Sequence, residues 1–264
     1  MNKLYETIEV SWSNPHIVTL TLNRPKHSNA FNTKMAEEIQ SFFNELPLIK
    51  QVCKAVIVTG SGDRAFCAGG DLKERCEMDL KTWNLQHIVF EKMILSVLNC
   101  KVPVIGAING AAFGGGCELV AAFDFSYASE TATFAQTETK IGIIPGIGGT
   151  QNLARAIGER RAKELIYSAE PFSAQQALNW GLINAIFPSS DLIKQTLKIA
   201  LRISENAPIA VKQAKKAIHK GLQMTLSKGM ELELECYNKT ISTNDRIEGV
   251  LAFNEKRKPK FEGK

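Results

Sequence analysis

Two glutamates and two glycine-rich loops are the parts of this sequence that could do chemistry together. The run Gly114-Gly115-Gly116 precedes Cys117-Glu118, and residues 65–71 form a second loop of small residues. Glycines let backbone N–H groups approach a ligand closely, and a helix start adds the positive end of its dipole. Two such loops can supply one donor each to an oxygen that becomes negative during a reaction. For either loop alone, a turn that merely packs a strand against a helix is the alternative.

The two glutamates are candidates for proton transfer. Glu118 stands in the first helical turn after the glycine run, and Glu138 follows a short predicted strand. A positioned carboxyl group can take up or deliver a proton during a reaction. A glutamate near a helix start can also simply compensate the dipole, and one after a strand can simply be solvated. Spacing alone does not show that the two side chains converge, so both interpretations stay open.

Other common chemical motifs are missing from the sequence. The glycine run lacks the third glycine of the dinucleotide-binding pattern G-x-G-x-x-G, because Leu119 occupies that place, and no G-x-x-x-x-G-K-[ST] pattern occurs. The four histidines and six cysteines are scattered, without H-E-x-x-H or C-x-x-C spacing. We therefore expect no metal site, and reduced, mostly buried thiols.

Apolar periodicity indicates the elements that must position these residues. Predicted helix N-caps are Asn32, Ser173 and Ser190, and further helices are predicted to begin at Asp71 and near Cys117. Strands are predicted at residues 5–12, 17–22, 54–60, 104–108, 123–128, 133–135 and 182–187. Nearly everything from residue 191 onward has helical periodicity. These strand–loop–helix units predict an α/β core over residues 1–190, followed by a helical region over residues 191–264, with no independent second domain.

Composition sets limits on the class of protein. Over 264 residues, 44% are hydrophobic and 22% charged, which is ordinary for a globular protein. No apolar run approaches the roughly 20 residues needed to span a bilayer, and the first six residues do not resemble a secretory signal. We expect a cytoplasmic protein with no membrane segment. The net charge of +5 would suit a small polyanionic ligand.

At these residues the chain resembles the crotonase, or enoyl-CoA hydratase/isomerase, superfamily over essentially its whole length. The markers, in order, are Asn23-Arg24-Pro25 with Asn29-Ala30-Phe31-Asn32, and residues 65–71, 109–119, 144–151 and 245–257. Residues 137–140, 162–166 and the C-terminal block are similar to methylglutaconyl-CoA hydratases in particular. Thr137 departs from the family, since many hydratases have proline there.

The resemblance implies a fold, an activity and an assembly. The fold would be a crotonase-type spiral of ββα units with a C-terminal helical region that forms a homotrimer or a dimer of trimers. The activity would be addition of water to an enoyl-CoA thioester, giving a 3-hydroxyacyl-CoA in fatty-acid or branched-chain acyl-CoA degradation. Methylglutaconyl-CoA hydratase and Δ3-Δ2 enoyl-CoA isomerase are the alternatives. Coenzyme A would be part of the substrate, and no separate cofactor is expected.

The resemblance also implies roles for individual residues. Glu118 and Glu138 would be the catalytic acids and bases, and the N–H groups of Ala68 and Gly115 would hold the thioester oxygen. Residues expected to contact CoA or substrate are Arg24, Lys26, Ala68, Gly69, Gly70, Asp71, Leu72, Phe253 and Lys256, the last two in the same or a neighbouring subunit.

Two further expectations concern substrate and partners. The acyl pocket would draw on residues 72–98, where Lys73 or Arg75 could pair with a carboxylated acyl chain. Some methylglutaconyl-CoA hydratases also bind RNA, and Lys212, Lys215, Lys216 and Lys220 recur here at helical spacing. A solvated face or a site for the CoA phosphates is the preferred interpretation of these lysines, and nucleic-acid binding is not expected.

Overall fold

The computed structural model describes residues 4–48 and 52–264, so part of the N-terminal segment on which the signal prediction rests lies outside the described residues. The strands are β1 (Ile8–Asn14), β2 (Ile17–Leu22), β3 (Ala55–Gly60), β4 (Ala65–Cys67), β5 (Val104–Ile108), β6 (Ala111–Phe113), β7 (Phe125–Ser129), β8 (Thr133–Ala135), β9 (Phe172–Ser173) and β10 (Ala185–Phe187). The helices are α1 (Thr33–Glu45), α2 (Leu72–Arg75), α3 (Leu80–Leu98), α4 (Gly115–Ala122), α5 (Gly149–Ile157), α6 (Glu159–Ser168), α7 (Ala174–Trp180), α8 (Leu192–Ser204), α9 (Pro208–Gly221), α10 (Leu226–Ile241) and α11 (Asn244–Asn254).

The larger sheet has the strand order β1-β2-β3-β5-β7-β10, in which β1 and β2 pair antiparallel and every other pair is parallel. All residues of β3 and β5 are buried. Parallel strands covered on both faces read as continuous apolar runs, which is why these two strands were visible in the sequence.

The smaller sheet has the order β4-β6-β8-β9. Each of the consecutive pairs β3/β4, β5/β6 and β7/β8 gives one strand to the larger sheet and one to the smaller sheet. A helical segment follows each pair, so the chain winds through repeated ββα units. The predicted α/β spiral is therefore confirmed, and the C-terminal ends of β4, β6 and β8 come together beside the helix starts.

Helices cover both faces of the larger sheet. On one face, α1 and α3 bury a large cluster that includes Met35, Phe42, Phe90 and Met93. On the other face, Leu192 and Ala200 of α8 pack against strand residues such as Ile57. Helix α8 therefore packs on the sheet of the core. The helical region was predicted to begin at residue 191, directly before α8, and helices α9–α11 follow α8 at the end of the chain.

Several local predictions can be compared with the structure directly. Asn32 accepts from the Met35 amide, and Ser173 forms a capping box with Gln176, as N-caps do. Ser190 is not an N-cap, because Asp191 occupies the N-cap position of α8. The helix predicted from Asp71 is two helices, α2 and α3. In the described ranges, no helix is both long and apolar enough to cross a membrane.

Candidate active site

The two glycine-rich loops lie against each other. Gly69 has a φ of +93°, and a Cβ built there would lie 2.9 Å from the Phe113 carbonyl oxygen and 3.2 Å from the Gly115 nitrogen. Only glycine permits both this backbone conformation and this close approach. The loop after β4 is thereby held beside the start of α4, which is the juxtaposition that a shared oxyanion site requires.

The donor predicted in the first loop has to be corrected. The Ala68 N–H donates to the Ser28 carbonyl at 3.0 Å, so it is not free to bind a ligand. Gly70 is paired with Phe31 in a parallel bridge, but its own N–H makes neither hydrogen bond of that bridge. The Phe31 N–H donates to the Gly69 carbonyl, and the Asp71 N–H donates to the Phe31 carbonyl. The Gly70 N–H has no partner in the described part of the chain and lies in the cavity wall.

The donor predicted in the second loop is available. Gly115 is the first residue of α4, and the amides of a first helical turn have no partner within the helix. Its N-cap is Gly114, at a φ of +51°, with no side chain to cap the turn. The Gly114 amide itself donates to the Ala135 carbonyl at 2.8 Å. Of the amides in this first helical turn, the N–H of Gly115 belongs to a residue that lines the cavity, so it is the candidate donor at this helix start.

Glu118 is buried and fixed by main-chain donors. Only 2% of its surface is exposed, and its Oε1 accepts from the Ile147 N–H at 2.9 Å and from the Gly149 N–H at 2.7 Å. A Cβ built on Gly149 would lie 2.9 Å from that same oxygen, so a glycine is needed there. Burial, and then the charge of Glu138, raise the pKa of Glu118 to about 7.

Glu138 is held by a side chain. It opens a 3-10 helix over Glu138–Ile141, is 8% exposed, and accepts from the Gln136 Nε2 at 3.2 Å. Burial raises the pKa of Glu138, although the backbone amide of Glu138 itself, the bond from Gln136 and the backbone amide of Thr137 oppose the shift. Gln136 is fully buried, and its own Oε1 has no partner among the described residues. The role of Gln136 was not foreseen, although it stands two residues before the glutamate on the same strand end.

Both glutamates and both free amides line one cavity of about 880 Å³. The sequence thus identified side chains that the fold brings together. Residues of the 72–98 region, from which the acyl pocket was expected to draw, also form its wall. Among the lining residues are Ala68, Gly69, Gly70, Leu72, Arg75, Trp83, His87, Phe90, Gly115, Glu118, Glu138 and Ile147.

Two other residues that were predicted to contact CoA, Arg24 and Asp71, lie outside this cavity and bind each other. Arg24 is ion-paired with Asp71 at 2.9 Å and donates to the Ala30 carbonyl at 2.7 Å, and neither Arg24 nor Asp71 lines the cavity. Asp71 also caps α2. Burial would raise the pKa of Asp71, but the bonds from Arg24 and from the α2 amides lower it. This pair ties the Arg24 segment to the start of α2, while Lys26 nearby is exposed.

The C-terminal residues predicted to contact CoA are outside the cavity of their own chain. Phe253 is 84% exposed near the end of α11, and Lys256 follows with a φ of +54°. Neither is among the residues that line the cavity.

The four lysines at helical spacing, Lys212, Lys215, Lys216 and Lys220, all line a second, separate depression between α9 and the end of α3. Of these, Lys215 is ion-paired with Asp124 at 2.7 Å and donates to the Val102 carbonyl at 2.9 Å, so it attaches α9 to the core. Within the described residues, no cluster of His, Cys, Asp and Glu could hold a metal ion.

Comparison with known proteins identifies the family. The model of the enoyl-CoA hydratase/isomerase family matches residues 13–264. The chain belongs to this family. The crystal structure of an enoyl-CoA hydratase from Bacillus anthracis superposes with a TM-score of 0.96 at 42% identity, covering 98% of this chain and 100% of that one. The predicted superfamily and fold class are thus confirmed.

Curated relatives in the same family include two kinds of hydratase. The short-chain-enoyl-CoA hydratase of Clostridium acetobutylicum is 39% identical over 242 residues, which is 92% of each chain. The mitochondrial methylglutaconyl-CoA hydratase of Mus musculus is 39% identical over 254 residues, covering 95% of this chain and 81% of that protein. Identity alone therefore does not separate straight-chain from branched substrates.

Proposed function

We propose that this enzyme is an enoyl-CoA hydratase that adds water across the 2,3 double bond of an enoyl-CoA thioester to give a 3-hydroxyacyl-CoA. The observation that carries the proposal is one cavity lined by two buried carboxyl groups with raised pKa values and by the two unpaired amides of Gly70 and Gly115. Family membership and the hydratase relatives support the same activity.

The two amides would act on the thioester oxygen. Attack of water at C3 pushes negative charge onto that oxygen, and N–H donors already in place stabilise this charge. Losing one such donor typically costs about 2.7–4 kcal/mol of transition-state stabilisation. In this proposal Gly70 takes the role that the sequence had assigned to Ala68, and Gly115 keeps its own.

The two glutamates would divide the proton transfers. Two acids that interact in a buried site share a proton, so one is neutral while the other is charged. We assign the role of base to Glu118, because the two amide donors stabilise the charged form that it reaches above its pKa of about 7, and the role of acid to Glu138. Glu118 then takes a proton from the attacking water, and Glu138 delivers one to C2. A pKa near 7 suits a base that works at neutral pH.

The activity assay also separates hydration from isomerisation. The purified chain should consume crotonyl-CoA, seen as loss of the absorbance of the conjugated thioester, and form 3-hydroxybutanoyl-CoA. A Δ3-Δ2 enoyl-CoA isomerase needs only one carboxylate to move a proton, which would leave the second buried glutamate unused. Conversion of a 3-enoyl-CoA to its 2-enoyl isomer, with no hydration of crotonyl-CoA, would contradict the proposal.

We also propose that the C-terminal helices assemble a trimer or a pair of trimers. Large apolar side chains are exposed on α10 and α11, among them Leu226 (82%), Leu234 (58%) and Phe253 (84%). Covering such side chains with a second copy would remove apolar surface from water. Light scattering on the purified protein should give a mass of three or six chains, and Phe253→Asp should shift it toward the monomer.

A cytoplasmic location is part of the proposal. All six cysteines are free thiols, and five of them are buried, as expected in a reducing compartment. Recovery of hydratase activity in the soluble cytoplasmic fraction of the source cells would support this, and recovery in another compartment would contradict it.

A further inference from the structure

Another cavity, of about 640 Å³, lies toward the C-terminal end of α3, and we call it the α3 cavity. The active cavity takes its α3 residues from positions 83–90, whereas the α3 cavity takes them from positions 92–96 and from the segment just after the helix. The end of α1 and the segments before β3 and β5 form its other walls. No described residue lines both cavities, so a ligand in the α3 cavity would not occupy the proposed catalytic site.

The floor of the α3 cavity is apolar. Phe43 is 5% exposed, and the thiols of Cys53 and Cys100 are buried. Burial raises the pKa of Cys53 to about 12, so this thiol stays neutral and behaves as a small apolar group. Leu95 adds an apolar side chain that is 52% exposed. A hollow with such walls favours a ligand that has a hydrocarbon part.

The depression between α9 and the end of α3 adjoins this cavity and has a volume of about 520 Å³. The two share a wall made by Asn99, Cys100, Lys101 and Lys212. Lys212 lies near both buried thiols, because its charge opposes the rise in pKa that burial causes at Cys53 and at Cys100. The apolar α3 cavity therefore borders directly on the face of α9 that carries the lysines.

The charges around the cavity and the depression have one sign. The chain as a whole has 32 lysines and arginines against 27 acidic residues. Among the described residues that line these two hollows, none is acidic and six are lysines, namely Lys92, Lys101, Lys212, Lys215, Lys216 and Lys220. Of the six, only Lys215 has an ion-pair partner in the described part of the chain. Such a local excess of positive charge attracts anions.

We propose that the α3 cavity and the depression together bind an amphiphilic anion, a ligand with one hydrocarbon chain and a carboxylate or phosphate head. The chain lies over Phe43 and Leu95, and the head lies between Lys101 and Lys212. Removing the chain from water stabilises the complex in proportion to the apolar area buried, and the lysines stabilise the charge of the head. The inference is independent of the proposed hydratase function, since none of these residues lines the active cavity.

Calorimetry with saturated fatty acids tests the proposal on the wild-type protein. Dodecanoate should bind, and each methylene removed from the chain should weaken binding by about fourfold, as long as the cavity covers the chain. Dodecyltrimethylammonium has the same chain with a cationic head and should not bind at the same concentrations. Equal binding of the two heads would mean nonspecific adsorption to apolar surface and would overturn the proposal.

Dodecyl phosphate identifies the source of the head group. Binding tighter than that of dodecanoate would assign the site to a phosphorylated lipid, and weaker binding would assign it to a fatty acid. Failure of both anions to bind would reject the site.

Two variants of α3 locate the chain. Leu95→Asp places a negative charge in the wall of the cavity and should weaken dodecanoate binding by about 10-fold or more, because the charge both repels the head and resists burial under the chain. Leu85→Asp is the matched control, since Leu85 is 56% exposed on the same helix and lines neither of the two hollows nor the active cavity. The control should bind within about twofold of the wild type. Equal weakening in both variants would contradict the proposed position.

Two lysine variants locate the head. Lys212→Gln should weaken dodecanoate binding by about 10-fold, as expected for the loss of a hydrogen bond to a charged group. Lys198→Gln removes an exposed cation on α8 that lines neither hollow, and it should leave binding within about twofold. The same loss in both variants would show that only net charge matters, which would overturn the site.

A second copy of the chain is the competing occupant of this face, and light scattering on the same samples detects it. Loss of dodecanoate binding in Leu95→Asp at an unchanged mass supports the proposal. A lower mass for Leu95→Asp, with no binding of dodecanoate to the wild type, would make the face a contact between copies and reject the site. If mass and binding both change, Lys212→Gln decides, because binding lost at the wild-type mass supports the site and binding retained overturns it.

Discussion

The segments that carry Glu118 and Glu138 contrast in how they hold the same functional group. Glu118 lies on α4 and is fixed by two backbone amides at the start of α5, those of Ile147 and Gly149. Glu138 lies just after β8 and accepts a hydrogen bond from the side chain of Gln136, in addition to the influence of its own amide and that of Thr137. Main-chain donors favour the charged form of a carboxyl group and are lost only by substitution to proline, whereas a side-chain donor is lost by many substitutions. The difference suggests a fixed base and a more adjustable acid.

The largest expected effect comes from removing either carboxyl group. Glu118→Gln and Glu138→Gln should each lower kcat on crotonyl-CoA by about 10²–10⁴-fold, the usual contribution of a positioned acid or base. Both replacements keep the size of the side chain, so binding of butanoyl-CoA by calorimetry should change little. Turnover near the wild-type rate in either variant would refute a mechanism that uses both acids.

The next largest expected effect is on how the stability of the fold depends on pH, and it concerns the segment that carries Glu118. The pKa of Glu118 is about 7 in the folded chain against an ordinary value of 4.5, so the folded state holds the extra proton between these values. Stability is therefore lost as the pH rises from 4.5 to 7, and the penalty is complete above 7. Its size is about 3 kcal/mol for a shift of this order.

Glu118→Gln should remove this penalty, because glutamine does not ionise. Tm of the variant should exceed that of the wild type at pH 8 and match it near pH 4.5, as scanning calorimetry at the two values can show. An identical difference at both pH values would mean that folding does not raise the pKa of Glu118.

The smallest expected effect tests the side-chain support of Glu138. Gln136→Met keeps the volume but removes the Nε2 donor, so kcat should fall by about tenfold, or 1.4 kcal/mol. Because that donor lowers the pKa of Glu138, its loss should move the alkaline limb of the pH–rate profile upward. A tenfold loss with an unchanged profile would indicate a packing defect and no contact with the acid.

Local sequence patterns were enough to predict most of the longer elements and the acidic residues, but the short strands β4 and β6 were not predicted. The apolar runs of β3 and β5 indicated buried strands, and Asn32 and Ser173 cap the helices that follow them. Such features depend on neighbours within a few positions of the chain. The family resemblance then assigned roles to Glu118 and Glu138, whose convergence the spacing did not reveal.

Contacts between distant segments could not be predicted in this way. Whether Ala68 or Gly70 has the free amide depends on Ser28 and Phe31, which lie some forty residues earlier in the chain. The amides that hold Glu118 come from a loop about thirty residues later. The partner of Arg75 also became visible only when α2 and α3 were packed together, because Gln86 belongs to the second of these helices.

A crystal structure of the wild type with butanoyl-CoA would test the central claim most directly, since this saturated ester binds without reacting. The account predicts that the thioester oxygen lies about 3 Å from the amide nitrogens of both Gly70 and Gly115. Glu118 and Glu138 should then lie on the same side of the C2–C3 bond, with room between them for one water molecule. A thioester oxygen bound elsewhere, or an acyl chain that reaches neither glutamate, would contradict it.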